Sequence, residues 1–139
     1  MVRRVPHLPL PQVAFVPGKT ARPHEGWERV AADSERFLWA CDLLDADCGF
    51  EAHELLEALW HEARARQDSD DEHILRGLVR LAAARVKAHQ GNAGGQMSHL
   101  DGALTEFRAV HASAVRGLRP VDLIHVVNAA RAGSFLPLP

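Results

Sequence analysis

Phe50-Glu51-Ala52-His53-Glu54-Leu55-Leu56-Glu57-Ala58-Leu59-Trp60 is the stretch that decides the fold. Ala52, Leu56, Leu59 and then Ala63 recur at three- and four-residue spacing, with Leu55 and Trp60 at the edges of the stripe. That period marks the buried face of a helix, and no strand presents it. The polar side is unusual. His53, Glu57 and His61 fall four apart on the flank beside Trp60. Glu54 lies next to them, and Arg64 follows one turn beyond His61. The stripe borders the apolar face instead of opposing it, where a polar cluster becomes partly buried.

The same period extends in both directions. Upstream the pattern turns helical from about Trp27, with Phe37, Leu38, Cys41, Leu43 and Leu44 on its apolar side. Asp45-Ala46-Asp47-Cys48-Gly49 is a turn, and the second helix runs from about Phe50 to Arg66. Gln67-Asp68-Ser69-Asp70-Asp71 is a polar turn in which Ser69 and Glu72 fit a capping box. A third helix carries Ile74, Leu75, Leu78, Val79, Leu81, Ala82 and Val86. Gly91 stops it after about Gln90, and Asn92 suits the next N-cap. A fourth stripe joins Met97, Leu100, Leu104, Phe107, Val110 and Ala114, with Gly117 ending that helix. Pro120 opens a short fifth helix with Leu123, Ile124 and Val127. Nothing alternates with period two. The expectation is an all-α, single-domain helical bundle of about five helices, with short loops between antiparallel neighbours.

Residues 1–26 read differently. They hold Pro6, Pro9, Pro11, Pro17 and Pro23, and proline removes backbone donors and fixes φ. The expectation is an extended Pro-rich N-terminal arm packed on a helical domain at 27–139, with Val13, Phe15 and Val16 pressed onto it.

Bulk properties narrow the function classes. The 139 residues fit one domain, and 47% are apolar, ordinary for a globular chain. Net charge is −2 and no basic run exceeds Arg3-Arg4, so no nucleic-acid footprint is expected. Charged residues interrupt every long apolar segment, which argues against a membrane span. Proline breaks up the N-terminus before any secretory leader can form, which predicts a cytoplasmic protein. Cys41 and Cys48 are the only cysteines, and two reduced thiols are expected.

The chemistry concentrates in the second helix. His53 and His61 with Glu54 or Glu57 offer nitrogen and oxygen ligands to a divalent metal. A zinc-protease motif begins here, but Glu57 stands where its second histidine belongs; His24 or His89 would have to supply another ligand. A histidine and a carboxylate four apart also form an acid–base pair. The same stripe reads equally as a structural polar lock at a bundle seam. Trp60 is either core, its indole N–H satisfied by Glu57 or a backbone carbonyl, or the wall of a pocket. Arg76, Arg80 and Lys87 on one side of the third helix read first as a solvated face; the alternative is that Arg76 or Arg80 reaches Glu54 and Glu57 across the seam, with Gly77 allowing close approach. Glu51, His53, Glu54, Glu57, Trp60 and Arg76 are therefore the candidate ligand-binding set, and His53, Glu54, Glu57 and His61 the candidate metal set. The leading expectation is a small-ligand-binding or protein-interaction module, with a homo-oligomer as its corollary. The alternative is a metal-assisted hydrolase using His53 with Glu54 or Glu57.

The Phe50–His53, Glu54, Leu56-Glu57 and Trp60 block resembles the hallmark of an uncharacterised family of small bacterial and archaeal proteins, domain of unknown function 309. Gly77-Leu78-Val79, Leu81-Ala82-Ala83 and Gly91-Asn92 resemble its second hallmark, and Pro17-Gly18 a dipeptide near the start of many members. The resemblance covers about residues 15 to 130. It departs at Gly49, His61 and Arg76, where an aromatic, an arginine and a glutamine are common. The resemblance implies a helical bundle and no established activity.

Overall fold

Five helices occupy the chain in the computed structural model, which describes residues 2–139. They are α1 (Arg36–Asp45), α2 (Gly49–Ala65), α3 (Ser69–His89), α4 (Ala93–Arg108) and α5 (Pro120–Arg131). No strand occurs among the described residues, and no helix is long and apolar enough to cross a membrane. Links 46–48, 66–68 and 90–92 are each one tight turn, so α1 to α4 follow one another as packed neighbours. α3 lies between α2 and α4, α1 rests on α2, and α5 closes against α4. The core they share includes Trp39, Leu43, Leu56, Ile74, Leu75, Leu78, Leu100, Phe107, Leu123 and Val127, all fully buried.

The tight links share one device. After α1, α2, α3 and α5 a residue takes the left-handed conformation: Asp47 at φ 65°, Gln67 at 58°, Gly91 at 72° and Gly133 at 93°. In each case the next N–H reaches back to a carbonyl of the last turn. Cys48 bonds Leu43, Asp68 bonds Ala63, Asn92 bonds Lys87 and Ser134 bonds Ala129. This is the Schellman arrangement. Only two of the four positions are glycine. Asp47 is held instead by Arg85 and His89, whose nitrogens lie 2.6 Å from its carboxylate oxygens.

Three boundaries differ from the sequence reading. Residues 27–35 form two 3₁₀ turns, Trp27–Val30 and Asp33–Glu35, and the α-helix begins only at Arg36. Ala31 and Ala32 between them are extended, with ψ of 136° and 153°. The N-cap of α3 is Asp68, accepting from the Asp71 N–H at 3.2 Å; no Ser69 capping box forms. α4 ends at Arg108 and does not continue to Ala114. The Asp70 carboxylate captures the N–H groups of His111 and Ala112 at 2.8 and 2.9 Å, which pulls the chain out of helical register. Asn92 does cap α4, accepting from Gly95 N–H at 2.8 Å, and Pro120 does stand at the first turn of α5. Leu38 and Met97, read as apolar-face residues, are each 39% exposed.

Residues 2–26 contain no helix or strand and run across α1 and α2. Val5, Leu8, Phe15 and Val16 are buried, whereas Val13 points to solvent. Polar contacts fix the path along its length. Asp42 of α1 accepts from the Arg4 and Val5 N–H groups at 3.0 and 3.1 Å, and the Trp39 indole donates to Pro9 O at 2.9 Å. Arg4 also bonds Asp45 and the Leu138 carbonyl, so both ends of the chain meet on α1. Cys41 and Cys48 are free and buried, and burial pushes each thiol up to about 12. Neither supplies a nucleophile at neutral pH.

Candidate functional site

The residues singled out from the sequence separate into two faces of α2. Glu51 lies on one, beneath the arm, 1% exposed and accepting from the Phe15 N–H at 3.2 Å. Two positions on a helix differ by about 200°, so Glu51 and His53 cannot share a surface. Glu51 therefore leaves the set centred on His53.

The other face carries the stripe. His53 Nδ1 sits 3.5 Å from Glu54 Oε1 and 3.5 Å from Glu57 Oε2. One ligand atom from each of the three lies within 4.8 Å of the others. His61 Nε2 is 3.6 Å from Glu57 Oε1, but its ring turns onto Trp60 at 4.7 Å between centroids and it stands outside that trio. Of the two further histidines considered, His89 is paired with Asp47 at 2.6 Å, and His24 lines a surface pocket with Glu54.

Neither Arg76 nor Arg80 pairs with the acidic stripe, and neither is simply solvated. Arg76 pairs with Glu106 of α4 at 3.4 Å and lies over the Trp60 ring, 5.2 Å from its centroid. Arg80 donates to His99 Nδ1 of α4 at 3.2 Å. The cause is the turn at Gly91. Arg76 and Glu106 lie fifteen residues on either side of it, so an antiparallel α3–α4 pair places them together. Gly102 stands opposite Arg80, and a Cβ there would touch Arg80 Nε at 3.2 Å, so this glycine makes room for the guanidinium. Gly77 likewise serves the α3–α4 contact, where it faces Phe107, and not the α2–α3 seam.

These residues line one groove of about 220 Å³ across α2, α3 and α4. His53, Glu57 and Trp60 form one wall, Arg76 and Arg80 rise from α3 with Val79 and Ala83, and His99 closes the α4 side. Sequence reasoning gave His99 no role. Its signal was available, since the Gly91 turn brings it within about one helical turn of Arg80. Burial, then the cationic neighbours Arg80, Lys87 and His53, hold His99 below its ordinary value of 6.5. At neutral pH it is an uncharged acceptor for Arg80. No carboxylate pairs with Arg80 among the described residues. The Trp60 indole N–H is also buried without a hydrogen-bond partner, so neither Glu57 nor a carbonyl satisfies it.

The polar-lock reading predicts short, buried bonds within the stripe. The His53 contacts are 3.5 Å, to Glu54 and Glu57 side chains that are 51% and 42% exposed. Such pairs contribute little. His53→Ala and Glu57→Gln should each change stability by no more than about 0.5 kcal/mol, as surface substitutions do. Thermal melts of the two variants and the wild type check this, and a loss of several degrees in either would restore the lock.

A family model described as domain of unknown function (DUF309) matches residues 37–98, from α1 into α4. The matched segment contains α2 and α3 whole together with the turn at Gly91. No curated protein and no solved structure matches the chain.

Proposed function

We propose that the chain is a binding module without catalysis of its own, taking a small anionic ligand in the α2–α3–α4 groove. Arg80 carries the reading. It is a permanent cation, braced by a neutral histidine instead of a carboxylate, in a concave surface with Arg76 beside it. A guanidinium left without a carboxylate offers its donor fork to an incoming carboxylate or phosphate. Trp60 supplies a flat wall. Glu57 on the same wall restricts how many charges such a ligand can bring.

Inorganic phosphate and small dicarboxylates, titrated into labelled protein, test this by NMR. The expected result is saturable movement of the Trp60 indole N–H and the Arg80 side-chain signals in the millimolar range, abolished in Arg80→Gln. Movement that persists in Arg80→Gln, or none in the wild type, overturns it.

A second reading, metal-assisted hydrolysis, rests on the convergence of His53, Glu54 and Glu57. A catalytic zinc takes three protein ligands and keeps a fourth position open. Zinc and manganese titrations of wild type and His53→Ala separate the two readings. Stoichiometric metal lost in the variant supports the hydrolase, and equal weak binding by both proteins removes it.

A further inference from the structure

On the opposite face of α2 lies a second cavity, of about 250 Å³, between the arm and the α1–α2 pair. Its walls are mostly apolar, formed by Trp27, Trp39, Leu43, Leu10 and prolines of the arm, with His24 as the one basic side chain. One acid lines it, Glu51, which is 1% exposed. The Phe15 N–H satisfies Glu51 Oε2, but Oε1 is buried with no hydrogen-bond partner. A buried carboxyl oxygen left unpaired is costly, more so when charged, so such a group beside a cavity calls for a donor. Trp27 and Trp39 stand edge to face beside it, 5.5 Å between centroids. Trp39 is fixed by its bond to Pro9 O, and Trp27 is only partly buried and forms the mouth.

We propose that this cavity binds a small organic amine, its ammonium group on Glu51 and its apolar body against Trp27 and Trp39. The three features call for one chemistry. The free oxygen wants a donor. Tryptophan faces attract cations and admit hydrocarbon. The apolar remainder rejects a strongly hydrated ion and accepts an alkyl or aryl chain. An anion would meet Glu51 with like charge. A neutral alcohol would satisfy the oxygen but gain nothing from the charge or the rings. Burial holds the Glu51 carboxyl above its ordinary value, and a bound ammonium would draw it down again.

The test uses matched probes: hexylamine, hexanol and hexanoate, followed through the indole N–H signals of the full chain. Hexylamine should move the Trp27 and Trp39 signals saturably, and Trp60, in the other groove, should stay still. Hexanol should bind at least about tenfold more weakly, and hexanoate not at all. Glu51→Gln keeps the shape of the side chain and should lose about tenfold or more of the amine affinity. If Glu51→Gln does not fold, Trp27→Leu, altered at the mouth of the cavity, should weaken amine binding. No saturable response to any probe means that the cavity holds water only, and overturns the proposal. So does equal binding of amine and alcohol, or full amine affinity in both variants.

Discussion

Asp42→Ala should cost about 3–5 kcal/mol and release the N-terminal arm. Asp42 is fully buried in α1 and joins the arm to the bundle through four donors. Two are the backbone N–H groups of Arg4 and Val5, and two are the guanidiniums of Arg3 and Arg4, each 3.3 Å from a carboxylate oxygen. Alanine leaves buried backbone donors without an acceptor and Arg3 without its counter-ion, while Arg4 keeps only Asp45. Asp42→Asn retains one acceptor oxygen and should fall between the two. Urea melts give the stability, and hydrogen exchange at the Arg4 and Val5 amides reports the arm itself. Unchanged protection at those amides in Asp42→Ala would show that the apolar contacts of Val5 and Leu8 hold the arm alone.

The same residue sets an acid response. Burial opposes ionisation of Asp42, but the Arg4 and Val5 N–H groups and the two arginines outweigh it and hold the carboxyl below its ordinary value of 3.8. A depressed folded-state value contributes stability above the unfolded value, lost as pH falls through the folded one. The Asp42 contribution is therefore complete at neutral pH and disappears only in strong acid. Glu51 has the opposite sign. Burial raises it, so its ionisation works against folding as pH rises.

How much of this was legible follows from what a period can and cannot encode. Ala52, Leu55, Leu56, Leu59 and Ala63 are all buried on α2, as their spacing requires. A one-dimensional repeat fixes which side of its own helix a residue occupies. It does not say which neighbour that side meets. For Arg76 and Arg80 the sequence offers a solvated face or, through the short loop before α3, a reach toward α2; the loop after α3 is equally short, and they pair with α4. Glu51 looked continuous with His53 in sequence and lies under the arm in space. The end of α4 was hidden for another reason. Val110 and Ala114 continue the helical stripe, but Asp70, about forty residues away, competes for the backbone N–H groups at 111 and 112. Tertiary hydrogen bonds of that kind leave no local signal.

Gly77→Ala should be the most damaging single methyl added to the α3–α4 seam, at the upper end of the about 1–3 kcal/mol typical of overpacking. Gly77 is buried in the middle of α3, where glycine is otherwise unfavourable, so its gain must come from packing. A Cβ there would lie 2.7 Å from Phe107 Cδ1 and 2.8 Å from Cζ, and closer still to Cε1. Those are ring atoms of a fully buried side chain, with no flexible end to move aside. Relief must come from separating α3 and α4, and that separation also carries Arg76 away from Glu106 and Arg80 away from His99. The damage should thus reach the groove as well as the core. Shortening the opposing residue tests the cause. Phe107→Leu alone opens space and destabilises, whereas Gly77→Ala combined with Phe107→Leu should cost clearly less than the sum of the two. Chemical melts of the four proteins measure the coupling, and the Trp60 indole signal reports whether the groove recovers. Strict additivity would mean that the methyl is accommodated elsewhere and that helix approach at Gly77 does not set the geometry of the site.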